Sequence, residues 1–147
     1  MVSSPAGGVN QQAEPALVRW GLVPLRFVVG LVFLMHGGQK VFVFGLGGTA
    51  DIMGKLGLPL PMLSAATVIA AELLGGLGII TGLYARWAGL ALAIEMLVAI
   101  PVARLHGGFF TPYGFELELT LLGACLTFAA LGSGGVSIER MWRPPRE

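Results

Sequence analysis

Residues 25–42 read LRFVVGLVFLMHGGQKVF, and the reading of this stretch decides the fold. It is apolar enough to cross a bilayer, yet it carries Arg26, His36 and Lys40. Ionisable groups inside an apolar span need partners or water, because a stranded charge in hydrocarbon is costly. Carboxylates able to serve stand in later apolar stretches, at Glu72, Glu95, Glu116 and Glu118. The pattern predicts membrane-crossing helices with charged side chains turned inward.

Composition agrees. The chain has 147 residues, enough for one domain, and only 12% are charged, against about 25% in an ordinary soluble domain. Mean hydropathy is +0.81. So small a soluble protein could not cover its surface with so few charges, so its solvent is mostly lipid. The net charge of +1 leaves no nucleic-acid footprint. Many of the 23 glycines fall inside apolar runs, where they permit close helix contacts in lipid. A single cysteine, Cys125, allows neither an internal disulfide nor a paired redox motif. It reads as a small packing residue, and any dithiol chemistry would have to come from a partner.

Working outward, residues 1–16 are polar and read as a disordered lead-in. With no Lys or Arg ahead of the apolar run, they do not resemble a secretory signal. The first span is predicted over about 20–44, with Arg19 and Trp20 as interfacial anchors and Pro24 near its start. A short interfacial helix within 50–58 follows, closed by Pro59 and Pro61. Further spans are predicted over 62–83, 87–103 and 114–131. Tyr84, Arg86 and Trp87 mark the interface between the second and third, and Pro101 kinks or ends the third. The fold class is therefore an all-α membrane protein, a four-transmembrane-helix bundle over 17–138 with a basic tail over 139–147. Four spans put both termini on one side, with Arg19, Arg86, Arg140, Arg143 and Arg146. Lys40, Lys55 and Arg104 fall on the other, so the excess points to cytoplasmic termini.

Depth follows from the helical rise. From the cytoplasmic edge, Arg26 lies about 9 Å in, Glu95 about 12 Å and Glu72 about 15 Å. These form one expected layer, in which Arg26 pairs with Glu72, and Glu95, left over, is expected to be neutral. His36 and Lys40, at about 24 and 30 Å, form a second layer with Glu116 and Glu118. Arg26, Phe33 and Lys40 share one face of the first helix, with Gly30 and Gly37 beside it; Glu72, Gly75, Gly76 and Ile79 share a face of the second. The Arg26–Glu72 pair reads either as a lock holding the bundle together or as the lining of a cavity for a polar head or a proton. His36 reads either as bonded to Glu116 or a carbonyl, or as a group touching ligand or passing a proton. No cluster has metal-ligand spacing, so no metal is expected. No nucleophile triad, P-loop or dinucleotide fingerprint is present.

The same residues resemble the DoxX family of small bacterial membrane proteins over about 25–140. The resemblance is carried by Leu25, Arg26, Gly30, Phe33, His36, Gly37 and Lys40, then by Glu72, Leu73, Gly75, Gly76 and the run TGLYAR at 81–86. His106, Gly108, Phe109, Phe110, Gly114 and Glu116 follow, and LGSGGVSIE at 131–139 resembles the family's close. It implies a four-span inner-membrane protein whose characteristic polar, ligand-binding set is Arg26, His36, Lys40, Glu72 and Glu116. Glu118, where relatives often carry proline, and Glu95, where they are usually apolar, depart from it and extend the polar network without an inherited role.

Three functions remain in play. The resemblance implies a subunit of a quinone- or sulfur-linked oxidoreductase assembly with a redox-enzyme partner; a quinone is then the non-covalent cofactor, and none is expected to be covalently bound. The second is a non-enzymatic binder of lipid or another amphiphile, or a scaffold, alone or as a homo-oligomer. The third is a small proton-coupled transporter, for which no internal repeat speaks.

Overall fold

The computed structural model describes residues 16–110, 112–135 and 137–138. The lead-in over 1–15 and the basic tail over 139–147 lie outside the described residues. Five α-helices are present: α1 (Ala16–Gln39), α2 (Gly45–Lys55), α3 (Pro61–Thr81), α4 (Ala85–Ala99) and α5 (Glu116–Leu131). Of these, α1, α3, α4 and α5 are the four rods of the expected bundle. α2 is the short helix that follows the first rod.

Among the described residues, three helical stretches are long and apolar enough to cross a membrane: Trp20–Lys55, Pro61–Thr81 and Ala85–Gly107. The 21 residues of α3 span about 31 Å, close to the hydrocarbon thickness of a bilayer. The 16 residues of α5 reach about 24 Å. Large apolar side chains coat the outside, among them Phe27, Met35, Leu74, Leu77, Ile94 and Leu97. A continuous apolar surface of this kind suits lipid rather than water. Trp20, Tyr84 and Trp87 are exposed at one end, where aromatic side chains favour the membrane interface.

The rods run up and down, each antiparallel to the next. α1 packs along α3, α3 along α4, and α4 along α5. Phe33, Ile79, Leu92, Cys125 and Phe128 are fully buried where they meet. Register between α1 and α3 is set by glycine: a Cβ on Gly30 would stand 2.7 Å from the Gly76 carbonyl oxygen, and one on Gly76 2.9 Å from that of Gly30. Main chain touches main chain there, as small residues allow in lipid.

Two helices do not stop where the sequence suggests. α1 begins at Ala16, so Pro24 lies inside it rather than in its first turn. It continues through a π-helical turn, Lys40–Phe44, before Gly45 at φ 68° redirects the chain into α2. Thr49, fully buried, donates to the carbonyls of Gly45 (2.9 Å) and Lys40 (3.2 Å), tying α2 back to that turn. α4 likewise passes Pro101 without ending. Proline has no N–H to give, and a π-helical turn, Ile100–Arg104, absorbs it. A π turn winds each residue by about 80° instead of 100°. Arg104 is the last residue of this turn.

Candidate functional site

Arg26 is almost fully buried, at 3% exposure. Its Nε donates to the Ile79 carbonyl (2.8 Å), Nη2 to Ile80 (2.8 Å) and Nη1 to Ser133 (2.7 Å). The carbonyls of the last turn of a helix have no partner within the helix. Arg26 supplies it for α3, with its charge at the favourable end of the helix dipole. Gly82 closes α3 at φ 74°, and a Cβ there would collide with the guanidinium. The runs at 81–86 and 131–135 therefore meet at one arginine.

The expected Arg26–Glu72 pair does not form. Ile79 stands seven residues beyond Glu72, roughly 10 Å along α3. Glu72, at 3% exposure, instead takes both its bonds from Lys40: Nζ lies 2.8 Å from Oε1 and 2.7 Å from Oε2. The physical reason is side-chain direction. Helical side chains lean toward the N-terminus of their own helix. On antiparallel rods Lys40 and Glu72 lean toward one another, whereas Arg26 leans away, toward the end of α3. Reckoning depth from Cα rise alone put Lys40 too far from Glu72 and Arg26 too near.

Glu95 joins this pair from α4. Its carboxyl faces that of Glu72 within hydrogen-bonding reach, and it also feels the charge of Lys40. A hydrogen bond between two carboxyls requires one of them to hold a proton. Glu95 Oε2 is buried and has no hydrogen-bond partner among the described residues. Cys125 of α5 is fully buried. One ammonium and two carboxyls from α1, α3 and α4 thus converge midway along α3. With one proton on the carboxyls, the cluster is neutral.

The expected second layer is also rearranged. Glu118 does not meet His36 or Lys40; its Oε1 takes a bond from Arg104 Nε at 2.8 Å. Arg104 stands at the end of the π-helical turn, and only Pro101 hinted at that turn in the sequence. Glu118 Oε2 is buried and has no partner among the described residues. His36 takes the carbonyl option: its Nδ1 donates to the Val32 carbonyl (2.8 Å). His36 stands one turn from Lys40 on the same side of α1. Glu116 opens α5, half-buried, and its main-chain carbonyl accepts from Thr120 (2.8 Å). Among the described residues no group of three His, Cys, Asp or Glu side chains is placed to hold a metal ion.

The DoxX family model matches residues 21–106. A Bacillus subtilis protein named "Putative oxidoreductase CatD" is 33% identical over 119 residues, covering 81% of this chain and 84% of the relative. "Inner membrane protein YphA" of Escherichia coli is 28% identical over 134 residues, covering 87% of this chain and 91% of the relative. An uncharacterized Haemophilus influenzae protein is 33% identical over 119 residues, covering 78% and 85%. No solved structure matches the chain.

Proposed function

This chain belongs to the DoxX family, and on that footing we propose that it is the membrane subunit of a quinone- or sulfur-linked redox assembly. It sits in the bacterial inner membrane, with both termini cytoplasmic, and its Lys40–Glu72–Glu95 cluster receives the polar head of a lipid-soluble quinone. The observation that carries this reading is the cluster itself: an ammonium 2.7 Å from a buried carboxylate, with a second carboxyl beside it, at mid-bundle.

The chemistry of the head group suits these residues. A quinone has two carbonyl oxygens that accept hydrogen bonds, and its reduced form has two hydroxyls that donate. Lys40 and a protonated Glu95 donate to the carbonyl form, while the carboxylate of Glu72 accepts from the hydroxyl form. Reduction takes up two electrons and two protons. One lone buried cysteine gives the chain no dithiol, so the two electrons come from a partner enzyme, while Glu95 gives one proton and solvent the other. His36, one turn from Lys40 with Nδ1 held by the Val32 carbonyl, lies beside the head. Arg26 acts at a distance by fixing the ends of α3 and of the segment after α5. The name of CatD and the inner-membrane designation of YphA support the redox role and the location.

The test is purification in mild detergent, extraction of bound lipids, and titration with a water-soluble quinone analogue. The reading expects a quinone to co-purify and Glu72→Gln to lose it. A retained phospholipid with no quinone, and no redox partner, would replace it with the amphiphile-binding reading.

A further inference from the structure

We propose that the cavity between α2 and the start of α3 is a second ligand site, which takes the zwitterionic head of a phosphoethanolamine lipid. It is separate from the Lys40–Glu72–Glu95 cluster and does not depend on the quinone reading.

The cavity has a volume of about 630 Å³ and is lined by Ala50, Asp51, Gly54 and Lys55 of α2 and by Pro61 and Met62 of α3. Its place in the fold sets the class of occupant. Pro61 opens a rod long and apolar enough to cross the membrane, so the cavity stands where hydrocarbon gives way to head groups. Below it, Leu63, Ala66, Ala70 and Leu74 are exposed on one face of α3. The two alanines leave a furrow between the leucines. The stretch from Leu63 to Leu74 runs about 16 Å, close to the depth of one leaflet, so an acyl chain can lie along it while its head reaches the cavity.

Charge narrows the class. Asp51 and Lys55 are exposed and stand one turn apart on α2. At that spacing a carboxylate and an ammonium can bond each other, yet among the described residues the ion pairs are Lys40–Glu72 and Arg104–Glu118. Both charges are left to the cavity they line. A phosphoethanolamine head carries the complementary two: Lys55 donates to the phosphate oxygens, and Asp51 accepts from the ammonium. A purely anionic head would satisfy Lys55 and be repelled by Asp51. A trimethylammonium head has no N–H to offer a carboxylate; such heads are held by aromatic faces, and no aromatic side chain lines the cavity. The lining therefore favours a primary ammonium beside a phosphate.

Native mass spectrometry of the full chain tests the site. The protein is exchanged into detergent with equal amounts of phosphatidylethanolamine, phosphatidylcholine and phosphatidylglycerol of one acyl composition, and the retained lipids are weighed. The wild type is expected to retain the ethanolamine lipid over each of the others by roughly fivefold, the scale of one partly exposed ionic contact. Asp51→Asn should lose that preference and hold the glycerol lipid no less well, because Lys55 remains. Lys55→Gln should lower retention of the ethanolamine and glycerol lipids alike. Gly54→Leu keeps both charges and fills the cavity; a Cβ there meets the Pro61 ring at an ordinary 3.5 Å, so the side chain is accommodated and the ethanolamine lipid should be lost. Equal retention of the three lipids by the wild type, or a preference unchanged in Asp51→Asn or in Gly54→Leu, would overturn the proposal. Glu72→Gln should leave the preference intact, and its loss there would place the lipid at the buried cluster instead and equally overturn it. Failure to retain quinone, with the ethanolamine preference behaving as stated, would overturn the quinone reading and leave this site standing.

Discussion

Arg26 and Lys40 sit fourteen residues apart on the same side of one helix, and the structure uses them in opposite ways. At its end of the bundle Arg26 gives its hydrogen bonds to main-chain carbonyls of Ile79, Ile80 and Ser133. At the other end of that helix Lys40 gives its bonds to a side chain, Glu72, which a second carboxyl crowds. The first arrangement holds three segments of chain together; the second gathers charged side chains of opposite sign inside the bundle. A cation inside a membrane protein is thus not in itself a sign of a binding site. What it bonds to decides, and main-chain carbonyls at a helix end point to architecture.

Breaking each arrangement separately should show the difference. The largest loss is expected for Arg26→Leu, which strands several buried carbonyls at once. At about 1–3 kcal/mol for each unsatisfied group, the protein should fail to accumulate or should melt far below the wild type in detergent. Arg26→Lys should recover little, because one ammonium cannot fork across carbonyls from two segments. Lys40→Met comes next. It leaves Glu72 buried beside Glu95 without its cation, a loss of about 3–5 kcal/mol, read as a lower midpoint of thermal aggregation. Here a second change should rescue: Lys40→Met with Glu72→Leu should return to near wild-type stability while losing quinone retention. No such separation of stability from binding is expected at Arg26.

Smaller effects sharpen the same contrast. Arg104→Leu strands the nine-tenths-buried carboxylate of Glu118 at a partly exposed pair and should cost about 1–3 kcal/mol, less than Lys40→Met, read in the same thermal midpoint. Cys125→Ala leaves a space the size of a sulfur atom. It should lower stability by about 1 kcal/mol and leave quinone retention intact, which a reactive thiol would not.

Much of the architecture was legible in the sequence. Apolar runs of sufficient length, broken by Tyr84–Trp87 and Pro59–Pro61, placed the rods. Gly30, Gly37, Gly75 and Gly76 marked the faces that now meet, and the polar residues were identified as turning inward. The partners were not legible. Rise per residue gives the height of a Cα atom, but Lys and Arg reach several ångströms farther, and the lean of their side chains reverses between antiparallel rods. Lys40 and Arg26 therefore exchanged their expected roles. Arg104 was hidden for another reason: it ends a π-helical turn that carries the helix past Pro101, where the sequence suggested a kink or an end, and from there it bonds Glu118. The three contacts of Arg26 with α3 and with Ser133 had one signal, that two glycine-containing runs far apart in the chain both follow helix ends.

The central claim, that Lys40 rather than Arg26 holds Glu72 inside the bundle, is open to a direct measurement. The chain has two lysines, Lys40 and Lys55, and Lys55 is exposed at the end of α2. Solid-state NMR on protein in bilayers, with lysine Nζ and glutamate Cδ isotopically labelled, reads their dipolar coupling. The account predicts a short nitrogen–carbon contact that disappears in Glu72→Gln and persists in Lys55→Arg. The absence of that contact, or a contact from Glu72 to the Arg26 guanidinium in its place, would contradict it.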